Sequence, residues 1–206
     1  MPFFPSRDLT FNKAESLALA GLVLVASIQK FAVISIAELV RLLNTTTGGG
    51  PLLYDTIPSM DFSHITNDLL IGTTPSMRDY DTLRELGVRL IINMRWEHRP
   101  LPDPHNPPLT FLWFRTFDTP FLPIPIKALL RGAQSALETI RAGGRVYAHC
   151  AGGRHRGVAM GACILIAQGY DPHDAMRLIA QRRSFADPFV FYIRPRILKF
   201  AREWKG

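Results

Sequence analysis

Arg145-Val146-Tyr147-Ala148-His149-Cys150-Ala151-Gly152-Gly153-Arg154-His155-Arg156-Gly157, followed by the apolar run Val158 to Ala167, decides how this chain is read. Val146 to Ala148 have the composition of a buried strand's end, the glycine pair that of a tight loop, and Gly157 onward that of a helix. One cysteine therefore sits where a strand meets a helix N-terminus. Backbone N–H groups in such a loop, together with the positive end of the helix dipole, make a cradle for an anion. The same field favours thiolate. A free cysteine titrates near roughly 8.5, and this setting is expected to lower that by several units, leaving Cys150 nucleophilic at neutral pH. Arg156 closes the loop with a planar fork that can hold two phosphate oxygens at once. Gly152 and Gly153 are expected to let amides turn inward where side chains would crowd the bound oxyanion.

His149-Cys150, five residues, then Arg156 matches the H-C-x5-R signature of the cysteine-dependent protein tyrosine phosphatases, and the surroundings resemble their dual-specificity branch. An isolated cysteine is ordinarily a packing residue; a strand, a glycine-rich gap, an arginine and a helix together argue otherwise. A rhodanese-type sulfurtransferase also sets a cysteine in an amide-lined loop. It ranks lower because it leaves Asp118 without a task.

Asp118 lies in Trp113-Phe114-Arg115-Thr116-Phe117-Asp118-Thr119-Pro120. Phosphoryl transfer to sulfur expels an alkoxide or phenoxide, and a protonated carboxyl at that oxygen would neutralise it. Flanking Phe117, Pro120 and Phe121 are expected to desolvate the carboxyl and raise its pKa. Taken locally, Asp118 also fits a solvent-facing turn. Its spacing from the cysteine resembles that of the family's general-acid loop, and this favours the functional reading.

The rest of the chain supplies the frame. With 206 residues, 47% hydrophobic and 20% charged, there is enough sequence for one globular domain and an appendage. Two cysteines exclude a disulfide framework, and Cys163, in the apolar run, is read as core. A reactive thiol argues for a reducing, cytoplasmic setting. The formal charge of +7 suits acidic partners without choosing among phosphoprotein, phospholipid, inositol phosphate and RNA.

Residues 1–50 differ in kind. Ser16 to Ile28 is nearly continuous apolar sequence, Gln29-Lys30 interrupts it, and Phe31 to Leu43 resumes it. A bilayer span needs about 20 apolar residues, so a membrane-surface or domain-packing helix within 16–43 is the preferred reading over a transmembrane helix or signal peptide. Asn44 to Pro51 is a linker, placing the catalytic domain at 51–206.

Within that domain, Leu69 to Ile71, Arg89 to Met94, Leu109 to Phe114 and Val146 to Ala148 read as strands. Helices are expected from Ser76 to Leu86, Ile126 to Arg141, Val158 to Gln168, Asp171 to Arg183 and Phe189 to Trp204. The fold class is α/β: a central, mainly parallel sheet of four to five strands flanked by helices, with an extra N-terminal apolar helix. Arg95 to Pro100 follows the end of a strand on the side where ligands gather, and reads equally as cleft lining or polar loop. His64, His105 and His173 are scattered surface residues with no metal-ligand spacing.

The resemblance covers roughly residues 62 to 204. It implies Cys150 as nucleophile, Arg156 as phosphate clamp, Asp118 as acid and then base, and His149 as a residue that orients the loop. Ala151, Gly152, Gly153, Arg154 and His155 would form the substrate cradle. It implies no metal and no cofactor. The family usually carries Ser or Thr after the arginine, where this chain has Gly157; without that hydroxyl, phosphocysteine is expected to accumulate and turnover to be slow, and Gly157→Ser to raise it. Arg154 and His155 add positive charge that favours a polyanionic ligand. The Gly-Arg-His-Arg run is similar to inositol pyrophosphatases, and the basic loop with an apolar N-terminus is similar to phosphatidylglycerophosphate phosphatases. The implied partner is a phosphorylated protein, with a phosphate-bearing lipid or small molecule, or a slow phospho-ligand binding module, as alternatives; no nucleic acid is expected.

Overall fold

The computed structural model describes residues 60–204. The N-terminal apolar helix, the membrane-surface contact at 16–43, the linker and the domain boundary near residue 50 lie outside the described residues.

Five strands form one sheet: β1 (Phe62–His64), β2 (Leu69–Gly72), β3 (Val88–Asn93), β4 (Thr110–Trp113) and β5 (Arg145–His149). Their spatial order is β1-β2-β5-β3-β4, with β1 antiparallel to β2 and every other pair parallel. Near-continuous apolar runs suit central strands covered on both faces: in Val88–Asn93 only Arg89 is exposed, and Val146 to His149 are all buried. Ala148 stands level with Ile71 on one side and Ile92 on the other. The loops after β2, β3, β4 and β5 therefore open along one sheet edge, where open α/β sheets hold ligands.

Helix α1 (Asp79–Glu85) covers one face, where Tyr80 and Leu83 meet Leu70, Ile91 and Tyr147. The other face carries α2 (Ile126–Arg141), α3 (Arg156–Ala167), α4 (Pro172–Arg182) and α5 (Arg194–Glu203) in one larger core. Residues 156 to 166 of α3 are all buried, which is why its sequence is apolar all round. Cys163 is fully buried there and burial pushes its thiol well up, so it is a packing residue, as expected. His64, His105 and His173 are exposed, also as expected.

Three departures have physical causes. β1 has no apolar run to announce it; it exists because Phe62 to His64 pair with the edge of β2. Helix α1 starts at Asp79, not just after Ser76: the Ser76 hydroxyl donates to the Asp79 carboxylate (2.8 Å) instead of accepting from a helix N–H, and residues 76–80 close as a turn, with Asp79 N–H on the Ser76 carbonyl and Tyr80 N–H on the Met77 carbonyl. The last helix starts at Arg194 with Pro195 in its first turn, leaving residues 183–193 as a loop tied to the cysteine loop: Asp187 N–H donates to the Arg154 carbonyl at 3.0 Å.

Candidate active site

Cys150 follows the last residue of β5 directly, and Arg156 opens α3, so residues 150–155 are the whole turn between strand and helix. Its peptide planes are set from outside. The Arg183 guanidinium, 2% exposed, donates from Nε to the Gly153 carbonyl (2.8 Å) and from Nη2 to the Gly152 carbonyl (3.3 Å), and reaches Asp61 (2.7 Å) and Ser63 (3.3 Å) behind the loop. The Thr74 hydroxyl donates to the Cys150 carbonyl at 3.2 Å while accepting from Arg95 Nη1 at 2.8 Å. In a planar trans peptide the N–H points opposite to the C=O. Carbonyls of 150, 152 and 153 drawn toward these donors therefore turn the amides of 151, 153 and 154 to the other side.

Of the glycine pair, Gly153 is the one the conformation demands. Its φ is +59°, and a Cβ there would lie 2.7 Å from the Gly72 carbonyl oxygen. Gly152 has no positive φ, and a Cβ on it would meet no protein atom within 4 Å. Gly157 matters for a different reason. A Cβ would stand 3.0 to 3.1 Å from the His149 and Cys150 backbone, because the first turn of α3 rests on the end of β5.

Cys150 is 1% exposed at the floor of this turn, whereas Ala151, Gly152 and Arg154 are exposed around it. His149 is buried against Tyr147 (rings 5.7 Å apart), and burial, reinforced by the Arg95, His98 and Arg156 charges, pushes its imidazole down to about 3. It is a neutral ring under the loop.

Arg156 is 4% exposed and anchored along one edge: Nη1 donates to the carbonyls of Thr116 (2.8 Å) and Met94 (3.3 Å), and Glu97 lies 3.4 to 3.5 Å from Nη1 and Nη2. Its Nε is buried with no hydrogen-bond acceptor and sits 3.5 Å from Asp118 Oδ2. Burial would raise the Glu97 carboxyl, but its own backbone N–H, Arg95 and Arg156 outweigh this and hold it below the usual range. The Arg95 to Pro100 loop thus belongs to the site.

Asp118 is drawn into the same cluster. Its Oδ1 accepts from the Tyr192 hydroxyl at 2.9 Å and lies 3.2 Å from His155 Nδ1, and the Tyr192 oxygen lies 3.0 Å from the same Nδ1. The expectation of a raised carboxyl is corrected. Burial does push it up, but His155 first, then Arg156 and Tyr192, more than compensate, and Asp118 is held below the usual carboxylate range. The flanking aromatics do not enclose it: Phe121 is 84% exposed, and Phe117 turns to Trp96 with rings 5.1 Å apart. His155 faces Asp118 and Tyr192, while Arg154 is solvent-exposed.

The sequence therefore placed Cys150, Arg156, His149 and Asp118 in one neighbourhood and missed Arg183 and Tyr192. Both come from beyond the catalytic helix, and a buried arginine behind a loop has no local signature. The one hint is Asp187-Pro188, which separates the last two helical patterns.

A strand-loop-helix turn holding a buried cysteine, outward-drawn carbonyls and an anchored arginine defines a cysteine-dependent phosphatase. A family model described as the Swiss Army Knife protein, DSP-PTPase phosphatase domain, matches residues 62–190, and the chain belongs to that family. It is a phosphatase of the dual-specificity type, with a five-stranded dual-specificity phosphatase fold. Human DUSP28 superposes with a TM-score of 0.60 at 21% identity, over 75% of this chain and 98% of its own. PTPMT1 in complex with PI(5)P superposes with a TM-score of 0.57 at 29% identity, over 69% and 94%. Human tyrosine phosphatase-like serine/threonine/tyrosine-interacting protein gives 0.58 at 20% identity, over 69% and 96%. No curated protein matched in sequence.

Proposed function

We propose that Cys150 attacks the phosphorus of a phosphate monoester, that Arg156 and the amides from Ala151 to Arg156 hold the non-bridging oxygens, and that Asp118 protonates the leaving oxygen and then deprotonates the attacking water. The observation that carries this reading is the Arg156 guanidinium: one edge is fixed by the Thr116 and Met94 carbonyls, and the buried Nε on another side has no acceptor in the protein. A phosphate oxygen would supply it. Hydrolysis of an aryl phosphate, abolished by Cys150→Ser, tests the assignment.

The substrate is a phosphorylated protein, taken at a shallow cleft open to phosphotyrosine and phosphoserine or phosphothreonine. What supports this is the surface: Asp118 keeps about a third of its side chain (30%) in solvent, and the rim is the exposed Trp96 and Phe117 pair rather than a deep wall. A second reading, a lipid phosphate, is favoured by apolar side chains on the loops that reach the site. Phe121, Phe185, Phe189 and Phe191 are all exposed, and PTPMT1 is known bound to PI(5)P. Initial rates on phosphopeptides, phosphatidylglycerophosphate and inositol phosphates separate the two. A reactive thiol supports a reducing, cytoplasmic setting, and contact with a membrane through residues 16–43 is tested by fractionating cells that express the chain with and without residues 1–50.

A further inference from the structure

Asp118 faces a difficulty as an acid. His155, Tyr192 and Arg156 all stabilise its carboxylate, which suits the second chemical step, when it takes a proton from water, and opposes the first, when it must give one. The geometry around it contains a remedy. His155 Nδ1, the Tyr192 oxygen and Asp118 Oδ1 form a closed triangle with sides of 3.2, 2.9 and 3.0 Å, each within hydrogen-bonding distance.

Such a triangle accommodates two placements of one proton. With the proton on Nδ1, the imidazolium and the tyrosine hydroxyl both donate to the carboxylate. With the proton on Asp118, Nδ1 becomes an acceptor, and the Tyr192 hydroxyl turns to donate to it; the carboxyl O–H is then available to a third group. Neither placement strands a polar atom.

We propose that His155 is a positioning residue that loads the proton onto Asp118 for departure of the leaving group, with the Tyr192 hydroxyl switching acceptors as the proton moves. This rests on the reading of Asp118 as general acid. Phosphate binding is the trigger: a phosphate oxygen on Arg156 Nε neutralises the cation that lies 3.5 Å from Oδ2, which removes one stabiliser of the Asp118 carboxylate and makes it a better base. As sulfur bonds to phosphorus and the P–O bond breaks, the leaving oxygen takes the Asp118 proton, and His155 is left neutral with its proton on Nε2. In the second step water oxygen bonds to phosphorus, the P–S bond breaks to release thiolate, and the water proton passes through Asp118 back to Nδ1. The sum is ester plus water to alcohol plus phosphate.

The groups that set the pair's charge come from five places: Asp118 after β4; Tyr192 before α5; Glu97 after β3, through Arg156; Arg156 at the start of α3; and Arg154 in the loop itself.

The test compares an aryl phosphate, whose leaving group needs little protonation, with an alkyl phosphate, which needs it fully, for wild type, Asp118→Asn, His155→Asn and Tyr192→Phe across pH. Asparagine keeps a donor near the Nδ1 position but cannot deliver a proton. His155→Asn is expected to lose about tenfold or more in kcat/KM on the alkyl phosphate beyond any loss on the aryl phosphate, and to move the basic limb of the alkyl kcat/KM profile toward acid. Tyr192→Phe should move it the same way by less. Equal losses on both substrates with an unmoved limb in His155→Asn would overturn the proposal while leaving Asp118 as acid; absence of any leaving-group dependence in Asp118→Asn would instead remove the acid assignment itself. Should His155→Asn not fold, the limb in Tyr192→Phe decides, and an unmoved limb there counts against the proposal.

Discussion

The Arg183 guanidinium donates to the Gly153 carbonyl at 2.8 Å and reaches the Gly152 carbonyl with the same fork, so the cysteine loop takes its shape from a cation just past the end of α4. Without it the buried Gly153 carbonyl and the part-buried Gly152 carbonyl lose a donor, and the amides that face the phosphate lose their fixed direction. Arg183→Met is expected to cost about 2 to 4 kcal/mol of stability and to weaken competitive inhibition by inorganic phosphate about tenfold. Arg183→Lys should fall between, since a lysine cannot reproduce the fork. Urea denaturation and phosphate inhibition constants check both.

The two loop glycines should respond differently. Gly153→Ala forces a side chain into the left-handed region and against the Gly72 carbonyl, and should cost more than about 1 kcal/mol and most of the activity. Gly152→Ala should leave stability within about 0.5 kcal/mol of wild type, because its Cβ meets nothing in the protein. Thermal melts of the pair distinguish them.

Gly157 makes a kinetic prediction. With no hydroxyl there to assist departure of the thiolate, release of an aryl leaving group in a stopped-flow instrument should show a burst followed by a slower steady rate. Release that is linear from the start contradicts it. The simple repair is opposed by packing: Gly157→Ser adds a Cβ 3.0 Å from the His149 backbone, so any gain in turnover comes with a loss of about 1 to 3 kcal/mol in stability.

His149 gives a pH signature. Burial holds it neutral in the fold down to about 3, while the unfolded chain protonates near roughly 6.5. Between these values the unfolded state binds the extra proton, so stability falls as pH falls through that window, by up to an order of 4 kcal/mol. His149→Asn should flatten the dependence of unfolding free energy between pH 6.5 and 4 relative to wild type. Equal slopes would mean the ring titrates normally in the fold.

Much of this arrangement could be read from the chain. Val88–Asn93 and Arg145–His149 announce buried parallel strands by apolar runs, Ile126–Arg141 is announced as a helix by Pro123 and Pro125 before it, and the spacing from Cys150 to Arg156 places both at one turn. What could not be read depends on tertiary contact. Phe62–His64 becomes a strand only beside β2, and Arg183 and Tyr192 acquire their tasks only when residues 183–193 fold onto the loop. The Asp118 carboxyl is lowered, not raised, for the same reason. Its aromatic neighbours in sequence point away, and the groups that govern it, His155, Arg156 and Tyr192, come from other segments.

The central claim is that phosphorus passes through the Cys150 sulfur. Acid quenching within the first turnover on an aryl phosphate, followed by mass spectrometry of the peptide containing residue 150, tests it directly. The account predicts one added phosphoryl group on Cys150 in wild type, and neither adduct nor turnover in Cys150→Ser. Turnover that persists in Cys150→Ser, with no phosphoryl group on this peptide in wild type, would contradict it.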